Sequence, residues 1–597
     1  MKIEDAPLPM AFCLAVPCLE KGRGGGHLSR SAFLVKSLRE KGKEACLYVP
    51  AHAEIENIPS LIQTLCPGFS PSWMHADEPR SRRWSFIILD RFCTPKKEFA
   101  LWQGIAPLIG IDEGGPCRSR FDFLIDLLPL LPKAGPANLT AINLLPLPAN
   151  RRPAFMQAER DNVLEGAKTP NKKPLRILIS FGAEDAAGLG SAASRALGIE
   201  APGKTPNLKE RLAEYDLVIT HFGLTAFEAV YARVPVLLMS PTLYHEKLAR
   251  NAGFFSAGIG PESARSLEKF LSHSGFMSLA QNCEKIAARY RLDAPQGQSL
   301  ADYLSAFAPL ASNSRSNTVI GSIAANRPLA RFPERTYRRE GSLIRMDRLT
   351  LPPIEYEKDY FFGMYKKQYG KTYLEDFPNL IEMGRRRLVH IKQLLHHGKG
   401  ASSSLLDIGC AYGPFLAAAK AEGFEPAGVE PAEDAARYVN EELGIPCSHG
   451  FFPAALEDEP RKVAFDAITL WYVIEHFEDP GPVLAEIHSR LKPGGILAFS
   501  TPSFTGISGR ASLPNFLKNS PADHWTIWSP QTCRAFLKKH GFSLKKTVVT
   551  GHHPERFPFL GRFCAKRKGP LYSLLLLASR MFSLGDTFEA YGVKTGA

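Results

Sequence analysis

Three groups of residues in this sequence have the types and spacing to do chemistry. The first is Asp407-Ile-Gly409-Cys-Ala-Tyr-Gly413, between the apolar run 404–408 and a helical pattern over 415–420. Glycines at a strand-to-helix turn let a ligand approach the backbone where a Cβ would block it, and the helix start aims free N–H groups at a carboxylate or phosphate. The spacing is D-x-G-x-x-x-G, not the G-x-G-x-x-G of an NAD turn. The next strand, over 426–429, ends in Glu430, about 20 residues beyond the first glycine. A carboxylate there can accept hydrogen bonds from both hydroxyls of a ribose.

The second group is a pair of histidines. His476 follows a strand expected over 465–471, at the carboxyl end where open α/β sites lie, and His524 stands in Ala522-Asp523-His524-Trp525. Histidine titrates near neutrality and suits the general base that an oxygen acceptor of a transferred group needs. Each has a structural alternative: His476 as a cap on the strand-helix turn, His524 as a residue of the fold. The third group is Lys21-Gly-Arg-Gly24-Gly25-Gly26-His27-Leu-Ser-Arg30, just after the first apolar run. Consecutive glycines before a helix make a phosphate-sized cradle, and His27 can act as an acid or base or donate to a phosphate. The Gly-Lys-Ser/Thr ending of an ATP-binding loop is missing. Two more strand-to-glycine turns follow, at Ser180-Phe181-Gly182 and at Gly223-Leu-Thr225-Ala-Phe-Glu228. No CxxC pair or other metal-ligand spacing occurs, so no metal is expected.

The elements that must position these residues are strands alternating with amphipathic helices, the mark of an α/β protein with parallel sheets. The alternation predicts a first module over 1–311, in halves of about 1–170 and 171–311, a basic linker over 312–350, and a second α/β domain over 351–597. In that domain a helix over 483–491 leads into Lys492-Pro-Gly-Gly495, read as a structural turn, and a strand over 496–500. Two late strands, 546–550 and 588–593, are expected to close the sheet as a hairpin. The aromatic-rich stretch 356–370 reads as a lid or cofactor-facing helix.

The chain has 597 residues, 45% of them apolar and 22% charged, ordinary values for a globular protein too long for a single core. The net charge of +13 is spread along the chain without a zinc finger, RNA-recognition signature or recognition helix, which argues against nucleic acid. Anionic small molecules such as nucleotide sugars, or an anionic membrane surface, account for it equally well. Eleven cysteines without a framework imply reduced thiols and a cytoplasmic protein, docked at most on the inner face of a membrane. The apolar run near the N-terminus follows Glu4 and Asp5 and reads as a strand, and no run is long enough to span a bilayer.

With those motifs in order, residues from about 356 to 597 resemble class I S-adenosylmethionine (SAM)-dependent methyltransferases of the ubiquinone-methyltransferase-like group, which implies a seven-stranded Rossmann-like sheet. By that resemblance Asp407, Gly409 and Gly413 lie against the methionine part of SAM, Glu430 holds the ribose, and Gly450 and Phe451 flank the adenine. The first module resembles the two-Rossmann-domain glycosyltransferases, especially the UDP-sugar hydrolase of pseudaminic-acid biosynthesis. Its G-x-G-H-x-x-R pattern is met by Gly24 or Gly25, Gly26, His27 and Arg30, and its Gly-x-Thr-x-x-Glu pattern by Gly223, Thr225 and Glu228. The resemblance implies a catalytic His27, a diphosphate near Gly223 and Thr225, and a nucleotide ribose on Glu228. Together the two imply a fusion in surface-glycan or nonulosonate-type sugar metabolism: methyl transfer to a sugar or sugar-linked acceptor, joined to a module that hydrolyses or transfers from a UDP-sugar. The alternatives are a first module that only binds a glycan or lipid acceptor, or a protein, lipid or RNA acceptor.

Overall fold

The computed structural model describes residues 10–20, 24–51, 57–153, 175–181, 185, 187–200, 208–293, 298–306, 328–348, 370–395, 403–456, 464–564 and 569–595. The aromatic stretch 356–369 and Gly182 lie outside them. The chain forms two compact units, Met1–Ala325 with Arg331–Glu334, and Asn326–Ala330 with Arg335–Ala597.

The first unit holds two sheets. β1 (Met10–Pro17), β2 (Ala45–Tyr48), β3 (Met74–His75), β4 (Arg83–Asp90), β5 (Leu108–Ile111), β6 (Phe123–Asp126) and β7 (Leu139–Thr140) run in the order β3-β2-β1-β4-β5-β6-β7. All neighbours are parallel. Both faces of such a sheet are covered, and β4 accordingly is buried from Trp84 to Asp90. β2 and β4 lie on opposite sides of β1, so the carboxyl ends of β1 and β4 open a crevice. The helix Gly24–Glu40 starts above it. The second sheet is β8 (Ile177–Ile179), β9 (Leu217–Thr220), β10 (Val236–Ser240) and β11 (Ser256–Ile259), parallel in the order β11-β10-β9-β8. The first unit thus carries two separate parallel sheets, one built from strands of 10–140 and one from strands of 177–259.

The basic linker expected over 312–350 needs correcting where it is described. β12 (Pro328–Phe332), β13 (Arg335–Glu340) and β14 (Leu343–Arg348) are strands, and with β20 (Thr526–Ile527) they form a sheet in the order β12-β13-β14-β20. Two of the arginines that suggested a solvated tether are buried in it: Arg335 donates to the carbonyls of Ser520 and Lys518, and Arg338 pairs with Asp347 at 3.0 Å. Tyr337 between them is fully buried.

The main sheet of the second unit consists of β15 (Ser403–Ile408), β16 (Phe424–Glu430), β17 (Cys447–His449), β18 (Phe465–Trp471), β19 (Leu491–Pro502), β21 (Phe542–Thr550) and β22 (Thr587–Lys594). Their order is β17-β16-β15-β18-β19-β22-β21, with β22 antiparallel to both neighbours. This is the seven-stranded sheet with the closing hairpin that the sequence predicts. Lys492–Gly495, expected as a turn ahead of the strand, instead forms an irregular start to β19: pairing shifts register between Phe465 and Ala467.

A buried ion pair fixes the helix Phe377–Leu394 to this sheet. Arg387 donates to Glu589 at 2.8 Å, the guanidinium stacks 4.1 Å from the Trp471 ring, and the Tyr591 hydroxyl donates to the other carboxylate oxygen at 2.7 Å. Removing one partner strands a buried charge, which typically costs about 3–5 kcal/mol. Arg387→Met is therefore expected to lower stability by about 3 kcal/mol or more, read by denaturant unfolding of the intact protein, and Arg387→Met/Glu589→Gln to recover much of it.

Candidate functional site

In the second unit the glycine turn and Glu430 converge at the carboxyl ends of β15 and β16. Gly409 has φ 71° and a Cβ on it would lie 2.6 Å from the Val473 side chain; Gly413 has φ 77° and a Cβ there would meet Leu443 and Val439 at 2.8 and 2.9 Å. Both positions thus require glycine by conformation and by space. Glu430 is buried and holds the turn: its two oxygens accept the backbone N–H groups of Ala411 (2.8 Å) and Ala432 (3.0 Å). Each oxygen has lone-pair capacity left for a hydroxyl donor. Burial pushes its pKa up to about 7, with those two N–H groups pulling the other way. Asp407 is buried below the turn and accepts from the Thr469 hydroxyl at 2.6 Å; burial likewise pushes it up to about 7. Gly450 follows β17 and donates its N–H to the Glu430 carbonyl at 3.0 Å, and Phe451 beside it is 65% exposed. An exposed aromatic next to a buried ribose-type carboxylate suits the face of a base. The Tyr412 hydroxyl, between the glycines, donates to Asp434 at 2.5 Å, a link not evident from the motif.

His476 and His524 come together at the same edge of the sheet, with ring centroids 4.9 Å apart in a T-shaped contact. His476 Nδ1 pairs with the Asp523 carboxylate at 2.9 Å. Burial works against a proton on His476, but the bond to Asp523 and the nearby Glu475 outweigh it and raise its pKa. His524 is the opposite case: burial, then the neighbouring His476, push it down to about 3. Its Nδ1 is buried without a hydrogen-bond partner. Glu475 is buried too, with the Thr501 hydroxyl beside it and no hydrogen bond of good geometry, and burial pushes it up to about 7. Among the described residues, Glu475, His476 and His524 each offer a ligand atom within 4.8 Å of the others. Such a set suits a divalent cation, a possibility that sequence spacing did not reveal because the donors come from two distant segments.

In the first unit His27 lies over the crevice between β1 and β4. His27 Nδ1 is 2.7 Å from Asp90 Oδ1, at the last residue of β4. Arg30 corrects the expectation of a nucleotide-sugar contact: it is 4% exposed and its guanidinium is taken up by both oxygens of Asp90 and by Asp112. Burial alone would raise the Asp90 pKa, but Arg30 and His27 hold the carboxyl well below its usual range. Gly25 and Gly26 lie in the first turn of the helix, and nothing stands within 4 Å of where a Cβ on Gly26 would be. In the other half, Gly223 precedes the helix Leu224–Tyr231 in an extended conformation, and Thr225 and Glu228 are half-buried on that helix. Burial raises Glu228 to about 7, with Lys209 opposing. Asp90 and Asp112 were missed from the sequence; a carboxylate ending the apolar run 84–89 is the same signal that marked Glu430.

A family model of the methyltransferase domain matches residues 381–547. The chain is 26% identical over 211 residues to a ubiquinone biosynthesis O-methyltransferase of Chromobacterium violaceum, covering 34% of this chain and 88% of that protein. It is 27% identical over 175 residues to a tRNA U34 carboxymethyltransferase of Pseudoalteromonas translucida, covering 28% of this chain and 51% of that protein, about half its length. A solved SAM-dependent methyltransferase from Archaeoglobus fulgidus aligns at 19% identity and a TM-score of 0.28, over 40% of this chain and 100% of that chain. The second unit is a SAM-dependent methyltransferase domain, and SAM is its cofactor.

The raised pKa of Glu430 has a sign that can be worked out. Its folded pKa is about 7 and its ordinary value 4.5, so at pH 6 the ligand-free site holds a proton. Accepting from ribose hydroxyls requires the carboxylate, so binding expels that proton. SAM affinity is expected to rise about tenfold per pH unit below 7 and level off above it, and Glu430→Gln to weaken binding and flatten this dependence. Calorimetric titrations from pH 5.5 to 8.5 measure it; affinity that is flat or falling over that range for the native protein contradicts the assignment.

Proposed function

We propose that the second unit transfers the methyl group to an oxygen of a sugar or sugar-linked acceptor, with His476 taking the acceptor's proton. The observation that carries this is the His476–Asp523 pair at the carboxyl edge of the sheet, 2.9 Å apart. SAM supplies an electrophilic methyl group on a sulfonium. Gly409, Gly413 and Glu430 hold it by the backbone and the ribose, and Asp407 steadies the turn from beneath. Asp523 orients the His476 ring and stabilises the imidazolium that forms as the acceptor loses its proton. His524, held neutral by burial, lines the site beside it. An oxygen acceptor accords with the name of the Chromobacterium relative, an O-methyltransferase.

The sugar in this reading rests on the first unit. There the free start of the helix Gly24–Glu40 above a parallel-sheet crevice suits an anionic diphosphate, and His27, oriented by Asp90, suits proton transfer at a nucleotide-activated sugar. Asp112 and Arg30 act as positioning residues beneath it. On this reading a UDP-sugar is the ligand of the first unit and is hydrolysed or used as a donor there.

Two experiments follow. His476→Ala is expected to lower turnover by about 100-fold or more while leaving SAM affinity within about twofold, and Asp523→Asn to move the acidic limb of the pH–rate profile to lower pH, since its carboxylate raises the His476 pKa. Equal loss of turnover and SAM binding sinks the base assignment. Exhaustive chelation should leave turnover intact; loss restored by one divalent metal would give the Glu475-His476-His524 cluster to a cation instead. For the first unit, UDP should bind the intact protein, and His27→Gln should retain that binding while abolishing UDP-sugar turnover. No UDP binding removes the nucleotide-sugar reading.

A further inference from the structure

The two strands that close the main sheet of the second unit form a hairpin without a short turn. β21 and β22 pair as far as Thr550 and Thr587, and everything from 551 to 586 is inserted between them. Hairpin connections are usually two to five residues, roughly, so an insertion of this size needs its own explanation. It leaves and rejoins at the carboxyl edge: Thr587 pairs with Pro502, the last residue of β19. Its described residues are tied to the domain. Asp586 accepts from the backbone and hydroxyl of Ser508 and from Arg556, Ile507 donates to the Leu584 carbonyl, and His552 meets the Ser579 hydroxyl at 2.7 Å.

Its outer surface is apolar. The helix Pro570–Met581 buries Leu575 and Ser579 inward, yet Leu574, Leu577 and Met581, spaced as one helical stripe, face water together with Phe582. Phe559 and Phe563, in the turns against which this helix packs, do the same. These six side chains are between 56% and 84% exposed. Single exposed apolar residues are commonplace, but such a group within one insertion marks a surface that meets something apolar. The charge says what. Residues 556–582 carry six basic side chains and no acidic one. Two copies of such a segment repel each other, whereas an anionic lipid surface attracts it at roughly 1 kcal/mol for each Lys or Arg close to the headgroups. At about 18 Å by the rise of an α-helix, the helix is too short to cross a bilayer, and among the described residues no helix is long and apolar enough to do so.

We propose that residues 556–564 and 569–582 form an interfacial membrane anchor that seats the second unit on an anionic bilayer, with the apolar stripe in the headgroup boundary. Docked this way, the carboxyl edge of the sheet, where Glu430 and His476 lie, is served by the element that touches lipid. Acceptors carried in the membrane, sugar-linked or not, become available to it. The anchor stands whether or not the acceptor reading above is right.

Co-sedimentation of the full chain with vesicles tests it, using phosphatidylcholine alone or with 30% phosphatidylglycerol as the probe. The wild type is expected to partition onto the anionic vesicles, weakly onto the neutral ones, and to be partly released by 0.5 M NaCl. The variant Leu574→Ser/Leu577→Ser/Met581→Ser should lose about tenfold or more of that partitioning, because the apolar stripe supplies the burial. Its SAM affinity and melting temperature should be unchanged, which separates loss of the anchor from loss of the fold. No binding to anionic vesicles, or binding that the triple variant leaves intact, overturns the proposal. So does concentration-dependent dimerisation of the wild type in vesicle-free buffer that the variant abolishes, which would make the stripe a contact between two copies.

Discussion

Right-handed crossovers put β16 on one side of β15 and β18 on the other, and the second unit's chemistry depends on that divergence. The connections leave in opposite directions, and the strand-to-helix turn after β15 is the point from which they diverge. The chain turns there from strand to helix through positive φ at Gly409 and Gly413, the residues that permit it. The carboxylate ending β16 then lies beside the turn and accepts the N–H of Ala411 from it and that of Ala432 from just beyond its own strand. Further along the same edge, β18 and the segment before β20 bring His476 against Asp523. The glycine turn with Glu430 and the His476–Asp523 pair therefore share one edge because the sheet has one switch point.

The first unit solves the same topological problem with different electrostatics. Its switch point lies between β1 and β4, and the carboxylate ending β4 is neutralised by Arg30 on both oxygens, with His27 sharing Oδ1. Asp90 is thereby held ionised, whereas among the described residues no such cation is bonded to Glu430 or Asp407, and burial pushes both towards the protonated form. A carboxylate without a bonded cation is suited to hydroxyl donors of a ligand. A carboxylate already balanced by arginine is suited to fixing a histidine, leaving the helix start above it for an anion.

What could be read from the sequence follows the range of the interactions. Asp407 to Gly413, Glu430 and the closing hairpin were legible because each signal is local: a glycine turn, a strand-ending acid, an alternating run. The partners Asp90 and Asp112 of Arg30 were not, because they arrive from other strands, and Arg30 was read as a ligand contact when it is an internal support. The segment 328–348 was misjudged for a physical reason. Arginine-rich composition usually means solvent, but here the guanidinium groups of Arg335 and Arg338 are buried on carbonyls and on Asp347 while Tyr337 fills the space between. In sequence the helix Pro570–Met581 shows only a short apolar run, and which of its sides faces water is set by the fold.

The most direct measurement of the central claim is hydrogen–deuterium exchange of the intact protein with and without S-adenosylhomocysteine. The account predicts slowed exchange confined to the glycine turn 407–413, the strand end 430–434 and the loop 449–453, with 24–40 and 221–231 unchanged. Protection that spares the glycine turn and Glu430, or that falls on the first unit, would contradict the assignment of the cofactor site.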